Sequence, residues 1–351
     1  MEDHFKLRKK EITIKDVARR AGVAVSTVSR VLNGLDKVSD KTRRKVQAAV
    51  DELGYVQNQL AVSMVTGQTK TIMMIVPDFT NDFNGAVIQG AETYLKEHGY
   101  TILVSSSADF KDADYEALRQ RFFRMVDGIL AVPSPSDIFN YNSWGKPAVL
   151  IDCWRPENDY YTVEINNAWG TYLLTEEMIR KGHRRIAFVG GIQGVSLGGQ
   201  RLDGFRRAMK DYEIPVDESL IKPGVHFQET GVRGMEELLS LPVSLRPTGV
   251  IAVNNLTCIG CMEVLLRHHL TAGKDISLAG FDDHPAARYT APGITVISRP
   301  SIEMGREGAR ILLQLLQGKK TEPRRLIMDI TLLRRGSVQP PHCGLTDSPR
   351  P

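Results

Sequence analysis

Residues 13–33, TIKDVARRAGVAVSTVSRVLN, predict two short helices joined by a tight turn. Thr13 is placed to cap the first helix, and Asp16 occupies the position of the acid in a capping box. Apolar residues then follow with the spacing of one helix face, at Ile14, Val17, Ala18 and Ala21. Gly22 supplies the permissive backbone that a sharp turn between the two helices needs.

The second helix is predicted to be amphipathic. Its apolar face carries Val28, Val31 and Leu32, and its opposite face carries Ser26, Ser29, Arg30 and Asn33. A helix that enters the major groove of DNA needs such a face, with donors that reach the base edges. A helical hairpin with one solvated face has the same pattern, so the periodicity alone leaves both interpretations open.

Charge is distributed unevenly along the 351 residues. Residues 1–70 have a net charge of +6 and the remainder −2, within an overall +4. This asymmetry is expected of a DNA-binding module attached to a near-neutral body. No apolar run approaches the ~20 residues of a membrane span. The first eleven residues, MEDHFKLRKKE, lack the apolar segment of a secretory signal, so we expect a cytoplasmic protein with no membrane partner.

A third helix is predicted over residues 39–53, with Ser39 as its N-cap and Gly54 ending it. Its apolar stripe consists of Val46, Ala49, Val50 and Leu53. The three helices would form a small domain over residues 1–57. Residues 58–70 follow as a linker, in which a brief helix would be stable only when packed, because short isolated helices are marginal in water.

The body, residues 71–338, alternates apolar runs with amphipathic segments. The runs predicted as strands are TIMMIVP, YTILVSS, DGILAVP, PAVLID, YTVEI, RRIAFVGG, TGVIAVNN and DISLAGFDD. Helices are predicted near residues 83–97, 113–125, 168–181, 202–212, 229–240 and 256–269. Continuous apolar strands are typical of buried parallel sheets, and two such series predict two doubly wound sheets. Residues 339–351 are Pro-rich and polar, and we expect a disordered tail.

Polar and aromatic side chains follow several of these strands. They are Asp78 with Phe83 and Asn84, Asp152 with Trp154, Asn254 with Asn255, and Asp282 with Asp283. Ligands bind at the carboxyl ends of strands in such folds, and rings beside carboxylates and amides suit a sugar or similar polyol. The alternative is that each Asp or Asn only caps the helix that follows it.

Catalytic, metal and cofactor sites are not predicted. The sequence contains no P-loop, HExxH or GxGxxG motif. Cys258 and Cys261 form a CxxC spacing, but no second ligand pair lies nearby, so we interpret them as structural.

Several motifs together resemble the LacI/GalR (lactose/galactose repressor) family. TIKDVARRAGVAVSTVSRVLNG, VSDKTRRKV and ELGY are followed in the family's order by VDGIL, GHRRIAFVGG, RLDGFRRAM, AVNN, LAGFDD and ISRPSIEMGREGARILL. The resemblance spans roughly residues 12–338. It implies an all-α helix-turn-helix head and an α/β periplasmic-binding-protein-like core of two doubly wound parallel-sheet subdomains.

The resemblance also implies how the chain is divided. The N-subdomain would comprise residues of about 71–166 and 299–324, and the C-subdomain about 167–298 and 325–338. The chain would cross between the subdomains three times. It would return near residues 298–300, so that helix 301–317 joins the first subdomain, and a strand near 326–333 would pack on the second.

DNA contacts are implied by the same resemblance. The residues are Thr13, Val25, Ser26, Thr27, Ser29, Arg30, Asn33, Asn58, Ala61 and Met64. Val25, Ser26 and Arg30 would face the major groove, while Met64 would replace the family's leucine wedge in the minor groove. Ala24 stands where the family has a capping Ser, and its loss typically costs ~1 kcal/mol.

A small-molecule effector, sugar-like or a related metabolite, is implied to bind the core. Its contacts would come from Phe83, Asn84, Asp152, Phe227, Asn254 and Asp282, with Trp154 beside them. Residues 192–201 carry no Arg before Arg201, which disfavours a strongly anionic effector held there. A homodimer on operator DNA, repressing carbohydrate-utilisation genes, is the implied function. The alternatives are a sugar-binding transport receptor with no DNA role and a sugar-processing enzyme.

Overall fold

The computed structural model describes residues 12–32, 34, 38–57, 62–63, 66–107, 111–133, 140–153, 159–191, 197–225, 227–319 and 322–341. The chain forms two compact units, Met1–Thr69, here called the head, and Lys70–Pro351, here called the core. No helix in these described ranges is both long enough and apolar enough to cross a membrane.

The head contains three described helices, α1 (Ile14–Ala21), α2 (Val25–Leu32) and α3 (Asp40–Leu53). They enclose one small apolar cluster of Val17, Ala18, Val28, Val31, Val46 and Ala49. The predicted helix ends are confirmed. Gly22 ends α1 at φ 66°, Gly54 ends α3 at φ 61°, and the Ser39 hydroxyl oxygen accepts a hydrogen bond from the Thr42 amide at 3.4 Å.

The described part of the core contains two six-stranded sheets. In chain order the strands are β1 (Thr71–Val76), β2 (Thr101–Ser106), β3 (Gly128–Ala131), β4 (Ala148–Ile151), β5 (Tyr161–Ile165), β6 (Ile186–Val189), β7 (Ile221–Lys222), β8 (Gly249–Ala252), β9 (Ser277–Phe281), β10 (Thr295–Ser298), β11 (Arg325–Met328) and β12 (Thr331–Leu333). The helices are α4 (Asp82–Glu97), α5 (Asp112–Phe122), α6 (Asn167–Arg180), α7 (Leu197–Asp211), α8 (Gln228–Ser240), α9 (Asn255–Arg267), α10 (Pro285–Tyr289) and α11 (Ser301–Leu316). The two predicted series of strands and helices are therefore present.

The strand order defines two subdomains. The first sheet has the order β11-β5-β4-β3-β1-β2, and every pairing in it is parallel. The second sheet has the order β12-β10-β9-β8-β6-β7, in which only β12 pairs antiparallel, with β10. Central strands such as β1 are buried on both faces, which explains their unbroken apolar sequence.

Helix α11 returns to the first subdomain, as expected. It crosses α4 so closely that a Cβ on Gly90 would lie 1.8 Å from the carbonyl oxygen of Ile302. Reciprocally, a Cβ on Gly305 would lie 2.0 Å from the carbonyl oxygen of Val87. Glycine is therefore required on both helices at this crossing.

The predicted single strand near residues 326–333 on the second sheet is wrong in its first half. Strand β11 pairs with β5 in the first sheet, and only β12 joins the second. Arg325 fixes β11 through two hydrogen bonds to the buried carboxylate of Glu164, at 3.1 and 3.2 Å. The chain therefore makes its third crossing between Met328 and Thr331.

The predicted disorder from residue 339 is also wrong at its start. The Gln339 amide donates to the Ser277 hydroxyl at 3.1 Å, and the Gln339 carbonyl accepts from the same hydroxyl at 3.1 Å. The ring Nε2 of buried His183 lies 2.8 Å from that carbonyl oxygen. Gln339 is thus attached to the second subdomain, whereas residues 342–351 lie outside the described chain.

Candidate nucleic-acid interface and ligand cleft

Helix α2 divides into a buried and an exposed face. Val28 and Val31 are buried in the head, while Val25, Ser26 and Arg30 are exposed, with Val25 at 41%. Within the described ranges Arg30 forms no ion pair, so its guanidinium is available to a partner. Exposed donors beside an apolar side chain can contact base edges and a thymine methyl.

The other described residues of the head that were predicted to contact DNA are less accessible or already hydrogen-bonded. Thr27 and Ser29 are only half-buried on the flanks of α2. Thr13 uses its amide and hydroxyl to donate to Asp16 Oδ2, at 3.0 and 2.7 Å, so a phosphate contact would compete with the helix cap. Asn33, Asn58, Ala61 and Met64 lie outside the described residues.

Ala24, which replaces the capping Ser of the family, lies at the start of α2. The Ala24 carbonyl accepts from the amides of Thr27 and Val28, at 2.9 and 3.2 Å, which places Ala24 at the N-cap position. A methyl side chain has no acceptor, so it satisfies none of the amides of the first turn.

An arginine lies between the two carboxylates that were predicted to bind a ligand. Asp152 follows β4 of the first sheet, Asp282 follows β9 of the second, and Arg299 lies in the connection between β10 and α11. Arg299 Nε and Nη2 bond Asp282 at 2.5 and 3.1 Å, and Nη1 bonds Asp152 Oδ2. The Arg299 side chain is only 5% exposed. These ion pairs cross from one subdomain to the other.

Phe83 supports this arginine from α4. The guanidinium carbon of Arg299 lies 3.5 Å from the centre of the Phe83 ring, and Phe83 is buried. Burial alone would lower the pKa of Arg299, but the charges of Asp152 and Asp282 outweigh burial and raise it. Arg299 is therefore cationic and compensated by two carboxylates.

A second buried arginine, Arg201, extends from α7. Its Nε donates to Asn167 Oδ1 at 2.8 Å, its Nη1 donates to the Val253 carbonyl at 2.6 Å, and its guanidinium lies 3.6 Å from the Phe281 ring centre. Burial lowers the pKa of Arg201 to about 10, an effect opposed by the charge of Asp282. Arg201 therefore remains charged at neutral pH.

Neither Arg201 nor Arg299 was predicted from the sequence as part of this site. Both occur in the motifs RLDGF and ISRPS, but nothing local marks an arginine as buried. A signal does exist in the pattern of strand ends. Two Asp side chains that end buried strands need a cation, because an unpaired buried carboxylate is costly.

The remaining predicted ligand residues have different positions. Asn84 Nδ2 donates to the Asp78 carbonyl at 2.9 Å and so supports the turn after β1. Asn254 caps α9, since its Oδ1 accepts from the Thr257 amide at 3.0 Å, as the alternative interpretation expected. Phe227 is exposed at the start of α8. Trp154 lies outside the described residues.

Three buried polar atoms in this region have no hydrogen-bond partner within the described chain. They are Asp152 Oδ1, Asn255 Oδ1 and His284 Nε2. The Asn255 amide group donates to Asn81 Oδ1 at 2.8 Å, which makes a second link between the subdomains. His284 Nδ1 accepts from the Ala287 amide, so the neutral ring carries its proton on Nε2. Buried polar atoms are normally satisfied, so a small hydroxylated molecule would suit this set.

The CxxC pair is buried inside α9. Burial raises the pKa of the Cys258 thiol to about 12 and that of Cys261 well above its ordinary value. Nowhere in the described ranges do three or more His, Cys, Asp or Glu side chains cluster as metal ligands would.

The fold and these two regions together define a class of protein. A helix-turn-helix head, joined in one chain to a core of two sheets that are linked by buried polar side chains, is the architecture of a ligand-responsive DNA-binding regulator. Residues 13–58 match the family model for bacterial regulatory proteins of the lacI family. Residues 175–338 match the model for the periplasmic binding protein-like domain.

Relatives identify the family. The chain is 33% identical over 330 residues to the HTH-type transcriptional regulator RegA of Clostridium saccharobutylicum, covering 93% of this chain and 99% of that one. It is 31% identical over 341 residues to the HTH-type transcriptional repressor CytR of Escherichia coli (strain K12), covering 95% and 99%. The chain belongs to the LacI family of bacterial transcriptional regulators.

Solved structures agree with this assignment. A transcriptional regulator CelR–cellobiose complex is 31% identical, with a TM-score of 0.69 over 93% of this chain and 99% of that one. The Lac repressor dimer bound to operator is 24% identical and shares the fold, with a TM-score of 0.83 over 94% and 100%. The relatives are regulators, which confirms the predicted family, fold class and DNA-binding role and excludes the enzyme alternative.

Proposed function

We propose that the protein is a repressor that binds a near-palindromic operator as a homodimer, with the exposed face of α2 in the major groove. The division of α2 carries this proposal: Val28 and Val31 anchor the helix, while Val25, Ser26 and Arg30 face outward. Arg30 would make a bidentate contact to guanine, which contributes ~1–3 kcal/mol of discrimination. One helix contacts a short half-site, so two-fold symmetry is needed for useful specificity.

The remaining predicted DNA contacts would position the head. Thr13, Ser29, Asn33 and Asn58 are assigned to phosphates, and Thr27 to the flank of α2. Ala61 and Met64 are assigned to the minor groove, where the adaptable Met side chain would insert between base pairs. Operator binding would place the protein in the cytoplasm with its DNA.

Binding to DNA from upstream of the protein's own gene and neighbouring genes tests this function. In fluorescence anisotropy titrations, the full chain should bind one promoter segment at least ~1,000-fold more tightly than random DNA of equal length. The affinity for both should fall steeply as salt rises, because phosphate contacts release counterions. Equal affinity for all DNA at every salt concentration would contradict a sequence-specific repressor.

We further propose that the effector is a neutral, hydroxylated small molecule, of which a sugar is the leading class. Arg201, Arg299, Asp152 and Asp282 balance one another's charge, so a charged effector would leave a net charge buried. Asp152 Oδ1 and Asn255 Oδ1 would accept from hydroxyl groups, and His284 Nε2 would donate to one. CelR was solved with cellobiose, and another regulator of the family with ribose.

A thermal-shift screen of neutral sugars and nucleosides, with their phosphates as matched controls, tests the effector class. A neutral compound at 100 times its Kd should stabilise the core by about 2.7 kcal/mol. Its phosphate should stabilise less. Stabilisation by the phosphate forms alone would contradict the neutral class. Coupling of the effector to DNA is expected to be ~1–3 kcal/mol, or a roughly 5–150-fold change in operator affinity.

A further inference from the structure

The two carboxylates at the centre of the cleft are already largely occupied by the chain itself. Both oxygens of Asp282 and Oδ2 of Asp152 accept hydrogen bonds from Arg299, whereas Asp152 Oδ1 has no hydrogen-bond partner among the described residues. A ligand could take either carboxylate fully only by displacing Arg299.

The backbones of Asp152 and Asp282 are also fixed to opposite sheets. The Asp152 amide donates to the Val163 carbonyl at 2.8 Å, which continues the pairing of β4 with β5. The Asp282 amide donates to the Ile297 carbonyl at 2.9 Å, which continues the pairing of β9 with β10. The backbone of neither residue can therefore shift far without movement of its whole subdomain.

Arg299 is held from both sides as well. Its guanidinium lies against the Phe83 ring of the first subdomain and forms a two-bond contact with Asp282 of the second. A planar guanidinium can bridge two carboxylates in fixed geometry, which an ammonium or an amide cannot do equally well.

We propose that Arg299 is an internal clasp, whose ion pairs with Asp152 and Asp282 hold the two subdomains closed by the chain's own charges. The clasp concerns regulation of the same cleft and therefore rests on the proposed function. Closure of this cleft needs no bound effector, and an effector that displaces Arg299 from either carboxylate opens the clasp instead of forming it. Without Arg299, two carboxylates would face each other across the cleft, and separation of the subdomains would relieve their repulsion.

Hydrogen exchange measured by mass spectrometry on the full chain, without DNA or effector, tests the clasp. The comparison is Arg299→Gln against Arg306→Gln, a control on α11 whose exposed ion pair with Glu97 stays within the first subdomain. The informative amides donate to side chains in the segments between β1 and α4, between β8 and α9, and between β9 and α10, here called the rim. They are Thr80, Asn81, Phe83, Thr257 and Ala287.

Arg299→Gln is expected to accelerate exchange in the rim peptides by several-fold and to leave β1 and β8 unchanged. Arg306→Gln should change neither. If Arg299→Gln does not fold, Asp282→Asn keeps the Arg299–Asp152 pair and should still accelerate the rim. Unchanged rim exchange, or acceleration spread evenly over both sheets in the folded variants, would overturn the proposal. The readout uses no DNA, so its failure is distinguishable from failure of operator binding.

Discussion

The exposed face of α2 and the buried cleft of the core are encoded in different ways. Ser26 and Arg30 follow from the periodicity of eight residues, and the small cluster that supports their helix lies within residues 17–49. Arg299 contacts Asp152, 147 residues away, and Asp282, 17 residues away. A surface that binds DNA is therefore visible in a short pattern, whereas the electrostatics of the cleft appear only after the sheets assemble.

The largest expected effect comes from a long-range contact of the core. Gly90→Ala should lower the free energy of unfolding by about 1–3 kcal/mol, because the new methyl group would meet the Ile302 carbonyl on α11. Gly85→Ala, in the same helix but in open space, should instead raise it by roughly 0.5–1 kcal/mol. Denaturant unfolding of the core measures both. Equal effects would contradict the close crossing of α4 and α11.

The sequence predicted much of this architecture for physical reasons. Strands buried on both faces require unbroken apolar runs, and glycines and capping residues mark helix ends wherever they are needed. The sheet that each half of residues 325–333 joins was not predictable in the same way. An apolar segment of that length fits either sheet, and the choice depends on Glu164, distant in sequence. Arg201 and Arg299 were missed because buried arginine needs partners that no local pattern shows.

Acid should destabilise the core. Burial lowers the pKa of His183 and His284 below the ordinary 6.5, so the unfolded chain binds these protons first. The contribution of these two neutral histidines to the free energy of unfolding is full above pH 6.5. It is lost as the pH falls through 6.5 toward their lower pKa values in the folded chain. The melting temperature of the core should therefore decline below pH 6.5.

The matched variants for this pH dependence are His284→Asn and His98→Asn. His284→Asn should flatten the decline of the melting temperature, because His284 is buried. His98→Asn replaces an exposed ring at the end of α4 and should leave the decline unchanged. An identical pH profile in wild type and His284→Asn would exclude His284 as a source of the effect.

The smallest effect is local and lies in the head. Ala24→Ser should raise the stability of the head by roughly 0.5–1 kcal/mol, because a hydroxyl can accept from the first-turn amides of α2. Ala48→Ser, on the exposed middle of α3, should lower it by a few tenths to about 0.5 kcal/mol, because Ser is a poorer helix former. Thermal melts of the two variants measure the difference, and a loss of stability in Ala24→Ser would show that the amides are already satisfied.

Arg30 tests the central claim, that the exposed face of α2 specifies the DNA sequence. The measurement is the ratio of operator to random-DNA affinity for wild type, Arg30→Ala and Arg19→Ala, an exposed arginine of α1 that loses the same charge. Arg30→Ala should reduce this ratio by the equivalent of ~1–3 kcal/mol in binding free energy. The lost discrimination should be confined to one base pair of each half-site. Arg19→Ala should weaken binding to both DNAs alike and leave the ratio unchanged. An unchanged ratio in Arg30→Ala would contradict the account.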